Sequence, residues 1–379
     1  MAVIDVVIPV HKGLVATRRC LDSVLAAKST ASREIIVVDD AAPDAEITLL
    51  VDELAAGNRI TLLRNEQNLG FVRSVNRGMS LHTDRDVVLL NSDTEVAGDW
   101  LDRIQRCVYA HDDIGTATPF SNNATICSYP FYGWTGGIPG TLGLAALDRM
   151  FATINAGKSV DLPTGVGFCL YLRRACLDQV GTFDAERFGR GYGEENDFCL
   201  RAVAAGWRNA LAADVFVYHE GGVSFAAERL DRANSAQQTL LEIHPDYMQR
   251  VRAFVAADSM RPLRESIDAA RVAQGRVEAA SVLAERADEC TRLKVRLADV
   301  EALALERETA IADLRAALAR AEALIEQTKP EFANLRAEIG KLRAGLSHAE
   351  TLALERLAEL QRIRASFIGK LAYLWLRKK

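Results

Sequence analysis

The chain has 379 residues, a net charge of −5 and 26% charged residues. That length predicts two domains, one of them with room for a sizeable core. The charge excludes a global basic field of the kind that attracts nucleic acid, so any basic function has to be local.

Up to about residue 240 the chain alternates short β-branched runs with amphipathic stretches and carries most of the Gly, Pro and aromatic residues. Residues 3–10, 34–39, 59–64 and 86–90 read as strands, and residues 14–28, 43–56 and 70–82 as helices. This βαβαβαβ order predicts a parallel sheet in an α/β fold. Ligands of such sheets sit beyond the carboxyl ends of the strands, where this chain has His11, Asp39, Asp40, Arg64, Asn91 and Asp93. The first turn, Pro9-Val-His-Lys-Gly13, has neither GxGxxG nor GxxxxGK[ST]. Without that nest of amides a bound pyrophosphate needs another neutralising group, and a metal is the obvious candidate. Further on, Glu194, Glu195 and Asp197 crowd the start of a helix that runs to Ala205 and stops at Gly206, and the alternating run 215–219 ends in His219. Helix dipole and capping explain one or two acidic residues there, and mutual repulsion can raise the proton affinity of one, as a general base requires.

Beyond about residue 262 the composition shifts to Ala, Leu, Glu and Arg. Apolar residues recur at alternating spacings of three and four, from Leu283 through Leu293, Leu297, Ile311, Leu318 and Ile339 to Ala349. That is a coiled-coil signature, expected over residues 266–365 after a helical linker at 241–265. Pro330 interrupts it, while Thr328-Lys-Pro-Glu331 forms a capping box that restarts a helix, so a helical hairpin and a kinked rod are both open. Self-association or pairing with a partner helix is expected from so regular a stripe. The last segment, 366–379, is basic with interleaved aromatic residues. It suits either peripheral membrane contact or the end of the coiled coil on a partner.

The seven cysteines are odd in number, lack a CxxC pair and sit mostly in apolar runs, which predicts buried thiols and a reducing compartment. Neither a signal segment at Met1 nor a stretch of roughly 20 apolar residues is present in the sequence. A cytoplasmic location is expected.

Six motifs in order carry a resemblance. They are Asp5-Val-Val-Ile-Pro-Val-His11; Glu34 to Asp44 with its Asp-Asp pair; Asn65-Glu-Gln-Asn-Leu-Gly-Phe71 leading to Asn76-Arg-Gly78; Leu89-Leu-Asn-Ser-Asp-Thr-Glu-Val96; Leu162-Pro-Thr-Gly-Val-Gly-Phe-Cys169; and Gly191 to Arg201 followed by Val217 to Gly221. Together they resemble the family 2 glycosyltransferases, which have the GT-A fold, over about residues 3–225. The resemblance implies an inverting transfer of a sugar from a nucleoside diphosphate, UDP or dTDP, to a hydroxyl of a glycan or lipid-linked acceptor in bacterial cell-envelope polysaccharide synthesis. It places Pro9, His11, Asp40, Asn68, Gly70 and Asn76 in the nucleotide site. Asp40 would accept from the N3–H of a pyrimidine base, and His11 would stack on the ring or be an ordinary satisfied histidine. Asp93 stands in the DxD position and His219 supplies a further ligand for Mg²⁺ or Mn²⁺, with Asn91 replacing the first carboxylate. Glu194-Glu195 aligns with the acidic pair of the family, making Glu195 the base and Asp197 the reserve. Gly165 and Gly167 belong to a donor or acceptor loop. Asn91 also motivates the alternative of a coiled-coil scaffold carrying a degenerate, non-catalytic domain. A nucleotidyltransferase is disfavoured by the missing Gly-rich basic loop.

Overall fold

The computed structural model describes residues 3–189, 191–221, 226–327 and 332–376, without the side chains of 226–233, 324–327, 332–335 and 367–376. It divides into two compact units, Met1–Val282 and Leu283–Lys379.

The first unit opens with β1 (Ile4–Val10), α1 (Leu14–Ala26), β2 (Arg33–Asp39), α2 (Ala45–Ala56), β3 (Thr61–Arg64), α3 (Phe71–Met79) and β4 (Asp86–Leu90). These match the strand and helix alternation expected from the sequence. β1 pairs in parallel with β2 and β4, and β2 pairs in parallel with β3. The near-continuous apolar runs follow from burial on both faces. Val6, Ile8, Val37 and Val88 point into one core, while Val7, Val38, Val87 and Leu89 point into a second core on the other face.

After β4 come β5 (Thr94–Glu95), α4 (Trp100–Val108), β6 (Ile114–Ser121), α5 (Leu144–Ile154), β7 (Ser159–Leu162), β8 (Cys169–Leu172), α6 (Arg174–Val180), α7 (Glu194–Ala204) and β9 (Arg208–His219). The strand order is β3-β2-β1-β4-β8-β6-β9-β5, with β7 also on β9. β8 is antiparallel to both β4 and β6, so β6 and its parallel neighbour β9 again run in the direction of β1. The carboxyl ends of β1, β2, β4, β6 and β9 therefore share one edge of the sheet. Between α4 and α5 a buried Arg103–Asp148 pair at 2.6 Å anchors β9, because Asp148 Oδ1 also accepts from the Phe216 amide at 3.0 Å.

The sequence expectation of a boundary near residue 240 and a linker over 241–265 differs from what is seen. Helices α8 (Ala226–Ile243), α9 (Tyr247–Ala257) and α10 (Arg261–Ala273) follow β9, and the first unit extends to Val282. The apolar periodicity of α10 serves the main core, where Met260, Leu263 and Ile267 are buried, rather than a coiled coil. Periodicity alone cannot tell these destinations apart, because a helix on a globular core and a helix in a coiled coil bury similar stripes.

The second unit contains most of α11 (Arg276–Gln327) and α12 (Phe332–Leu376). The ion pairs Arg343–Glu322 and Arg315–Glu350 at 2.5 Å and Arg364–Glu301 at 2.6 Å are all centred between residues 332 and 333. That geometry is an antiparallel hairpin, which decides between the two alternatives left open by the sequence. Ile311, Ile339, Ala349, Leu360 and Ile363 are buried in this unit. α12 thus serves as the partner helix of α11 within the chain. The exposed ion pairs report register more than they stabilise it, since such pairs contribute about 0–1 kcal/mol. Residues 328–331, with Pro330, lie outside the described residues, as do the side chains of the basic terminal segment. Among the described residues no helix is long and apolar enough to cross a membrane. All seven cysteines are buried and unpaired, as expected from their apolar settings.

Candidate active site

Three groups of side chains meet the common carboxyl edge of the sheet. The first lies beyond β1 and β2. Asp39 is tied to the Arg64 Nε at 2.9 Å and accepts from the Ala42 amide, which makes it a turn-former. Asp40 is 4% exposed, and its carboxylate accepts from Asn65 Nδ2, the Leu69 amide and the Gly70 amide at 2.7–2.9 Å. It holds the 65–70 loop in place. That loop carries Asn68, whose Nδ2 sits 2.9 Å from His11 Nε2, while His11 Nδ1 meets the Asp40 carbonyl at 3.0 Å. A carbonyl only accepts, so Nδ1 carries the proton and Nε2 accepts from Asn68. His11 is thus a satisfied histidine whose ring orientation is fixed. Asn76 does not belong to this group. Its amide donates to the Phe183 carbonyl at 2.8 Å and accepts from the Phe183 amide at 3.1 Å, so it holds the loop before α7 instead of a nucleotide. Pro9, half-buried within β1, pairs with Val38 of β2 and lies one residue short of that strand's end.

The second group centres on Asp93 and His219. The antiparallel pairing of β5 with β9 sets Thr94 against His219, and Glu220 N donates to the Asp93 carbonyl at 2.9 Å. His219 Nε2 then lies 3.5 Å from Asp93 Oδ1. His219 Nδ1 donates to the Asn123 carbonyl at 2.6 Å, which leaves Nε2 directed at the Asp93 carboxylate. A carboxylate oxygen and an imidazole nitrogen brought together in this way are ligand types that a divalent cation takes. Burial opposes ionisation of Asp93, but His219 and the amides of Asp93 and Gly221 hold its carboxyl below the ordinary range. Phe168 stacks on the His219 ring at 5.3 Å and fixes its plane. Asn91 holds the turn through its backbone: its amide donates to the Phe168 carbonyl, and its own carbonyl accepts from Thr94.

Asn122 is the positioning residue the sequence reading missed. Its Oδ1 accepts from the His219 amide at 2.8 Å, and its Nδ2 donates to the His219 and Gly136 carbonyls at 2.9 and 2.8 Å. It follows β6, whose carboxyl end lies on the site edge. Applying the strand-end rule to β6 as well as to the first four strands would have found Asn122 and Asn123.

The third group is the start of α7. Glu195 lies against Gly167, where an added Cβ would stand 3.5 Å from its carboxyl carbon. Burial raises its proton affinity, and the amides of Glu195, Gly193, Asn196 and Gly167 offset only part of that rise. Glu194 is buried with no hydrogen-bond partner for Oε2 among the described residues. Its carboxyl is held well above the ordinary range by burial and then by the charge of Glu195. Asp197 is withdrawn from the role of reserve base. It is bound to Arg201 Nε at 2.7 Å and His244 Nε2 at 2.9 Å, and so braces α7 against the turn before α9. Tyr247 adds a bond to Asn196 at 3.1 Å. Gly165 is also structural. Its amide donates to Cys199 Sγ at 3.1 Å, and a Cβ there would come within 2.6 Å of Leu170 and 2.9 Å of Thr118.

Glu194 allows a check that needs no substrate. A carboxyl whose affinity for protons is higher folded than unfolded lowers stability as pH rises from its unfolded value toward its folded one. Glu194→Gln, neutral at every pH, therefore raises the melting temperature at pH 7–8 by about 2–4 °C per kcal/mol recovered. The gain shrinks toward pH 5; differential scanning calorimetry across that range measures it, and equal gains at both ends would refute the assignment.

Asp5, Glu34 and His82 are close enough together to hold a metal ion. They lie at the amino ends of β1 and β2 and beyond α3, on the opposite edge of the sheet. Arg85 already neutralises them, with its Nη1 3.1 Å from Asp5 and 2.5 Å from Glu34. This cluster ties strand ends together.

Residues 5–180 match the family model described as Glycosyl transferase family 2. A curated relative, the uncharacterized protein y4gI of Sinorhizobium fredii, is 23% identical over 262 residues, 65% of this chain. The match covers 27% of that protein, so the chain spans about a quarter of the length of the relative. Among solved structures, the mannosyltransferase PcManGT from Pyrobaculum calidifontis, in complex with GDP-Man and Mn2+, is 18% identical with a TM-score of 0.47. That alignment covers 76% of this chain and 80% of that one. GalNAc-T7 with UDP, GalNAc and Mn2+ is 16% identical with a TM-score of 0.48, over 71% of this chain and 55% of the other. S. aureus TarS 1-349 is 15% identical with a TM-score of 0.41, over 70% and 87%. These likenesses accompany the family match and add no detail about the site.

Proposed function

We propose that the family 2 glycosyltransferase domain of this chain is a working, metal-dependent, inverting enzyme. Its donor is a UDP- or dTDP-sugar, and its acceptor is a hydroxyl of a glycan or lipid-linked glycan of the cell envelope. The observation that carries this reading is the facing pair Asp93 Oδ1 and His219 Nε2, 3.5 Å apart at the carboxyl edge of the sheet, on the same edge as Glu195. A scaffold with a degenerate domain has no need of a carboxylate and an imidazole, both mostly buried, held together at the carboxyl edge of the sheet.

Asp93 and His219 would hold Mg²⁺ or Mn²⁺, with Asn91 able to add a neutral amide oxygen. The ion would supply positive charge to the diphosphate leaving group. His11 and the loop set by Asp40, with Asn68 and Gly70, would receive the base. Glu195, with raised proton affinity and a glycine beside it, would take the proton of the acceptor hydroxyl. One base and no separate nucleophile correspond to a single in-line displacement with inversion at the sugar carbon. The basic aromatic segment 366–379 would bring the chain to the inner face of a membrane carrying lipid-linked acceptors. The exposed side of the helical hairpin leaves association with further copies open to the same chain.

Isothermal titration of UDP- and dTDP-sugars with and without Mn²⁺ tests the reading. Saturable binding that requires the metal is expected, and metal-independent binding or none would favour the scaffold.

A further inference from the structure

The loop between β6 and α5 is tied to the Asp93–His219 centre. At one end Gly136 is tied through Asn122 to the backbone of His219. In the transferase reading the acceptor has to approach a donor held at that centre, and this loop borders it. Its aromatic side chains are held ready. Tyr132 is 37% exposed. The Trp134 indole lies over Gly136, where a Cβ would come within 2.3 Å of the ring, and Trp134 Nε1 donates to the Gly137 carbonyl at 3.3 Å. Phe131 meets the same indole edge-on at 5.2 Å.

A strap from outside the matched family region fixes the far end of this loop. Glu278 Oε1 accepts from both the amide and the hydroxyl of Thr141 at 2.6 Å. Its Oε2 is paired with Arg271 Nε at 2.9 Å. Arg271 is fully buried and also donates to the Tyr129 hydroxyl, which in turn donates to Asp268. Gly140, at φ +78°, admits these groups, since a Cβ there would come within 2.4 Å of Glu278 and 2.5 Å of Arg271. Two buried charged side chains from α10 and α11 are a costly way to hold a surface loop unless its position matters.

We propose that the Phe131–Thr141 loop is the wall on which a saccharide acceptor docks, with Tyr132 and Trp134 as its contact rings and Arg271 and Glu278 as positioning residues. The C–H face of a pyranose packs on an aromatic ring, and the Tyr132 hydroxyl can bond the sugar's hydroxyls. The proposal rests on the transferase reading above.

The test uses the full chain, Mn²⁺, the donor identified by titration and p-nitrophenyl hexopyranosides as acceptors. In Glu278→Gln, hydrogen exchange at amides 131–141 accelerates by about tenfold or more, with the rest of the first unit unchanged. Both Glu278→Gln and Tyr132→Ala raise the acceptor KM by about fivefold or more while the donor KM stays within about twofold. Thr141→Val, which removes only the hydroxyl bond, replaces Glu278→Gln if the latter fails to fold. Unchanged loop exchange overturns the strap. A fall in kcat with the acceptor KM unmoved, or donor hydrolysis by water without transfer to any hexoside, overturns the saccharide wall. Absence of metal-dependent donor hydrolysis in the unmodified chain instead defeats the transferase reading, and the exchange measurement still decides the strap.

Discussion

Glu195→Gln lowers turnover by about 10²–10⁴-fold, the usual contribution of a positioned general base, while metal-dependent donor binding persists. Glutamine keeps the shape of the side chain beside Gly167 and the bonds from the α7 amides but cannot accept a proton. In the unmodified chain, burial keeps the Glu195 carboxyl above its ordinary range despite the amides of Gly193, Glu195, Asn196 and Gly167. The base works only when ionised, so kcat falls as pH drops through that raised value. The acid limb of the kcat profile therefore lies above the ordinary glutamate value of about 4.3. A variant with near-normal kcat, or a limb at the ordinary value, would remove Glu195 from the role. Asp197→Asn provides the contrast. Because Asp197 is bound to Arg201 and His244, its loss lowers thermal stability without reproducing the pH signature.

His219→Ala and Asp93→Asn each abolish the Mn²⁺ enhancement of nucleotide binding, seen in titration as equal affinities with and without metal. His219→Ala removes the nitrogen ligand and Asp93→Asn removes the anionic charge, so neither leaves the carboxylate–imidazole pair that would hold a hard divalent ion. Asn122→Ala retains both ligands but frees the backbone of His219, and outer-shell changes of this kind cost about 10–100-fold in metal affinity or activity. A graded series, with Asn122→Ala between the unmodified chain and the ligand variants, is the expected result. Metal enhancement surviving in both His219→Ala and Asp93→Asn would place the ion elsewhere. Asp5, Glu34 and His82 would then be the group to test among the described residues.

Local pattern carried a large part of the architecture. The runs ending at Val10, Asp39 and Leu90 were legible as strands because each is largely buried on both faces and needs apolar residues at nearly every position, while the half-buried edge run ending at Arg64 kept enough of that pattern to be read as well. Polar residues directly after them were legible as site candidates because parallel strands bring their carboxyl ends to one edge. Side-chain roles were less legible. Asn76, Asp197 and Gly165 stand in the expected motifs, yet each is spent on packing or bracing. Motif position says where a residue falls along the chain, while its hydrogen-bond partners come from segments tens of residues away. Phe183 is the partner of Asn76, and His244 is a partner of Asp197.

From sequence alone came the α/β alternation, the glycosyltransferase resemblance, the absence of a phosphate-binding glycine nest, and the three-and-four spacing of the second unit. Each is a periodicity or a short motif, and so is encoded in neighbouring residues. Tertiary structure decided that Asp39 and Asp197 are held in ion pairs, that α10 belongs to the first unit, and that α11 folds back on α12. It also brought Asn122 to His219 and Glu278 to Thr141. These facts depend on register between distant segments: the β5–β9 pairing that sets Asp93 beside His219 is fixed by the whole sheet, and no local pattern carries it.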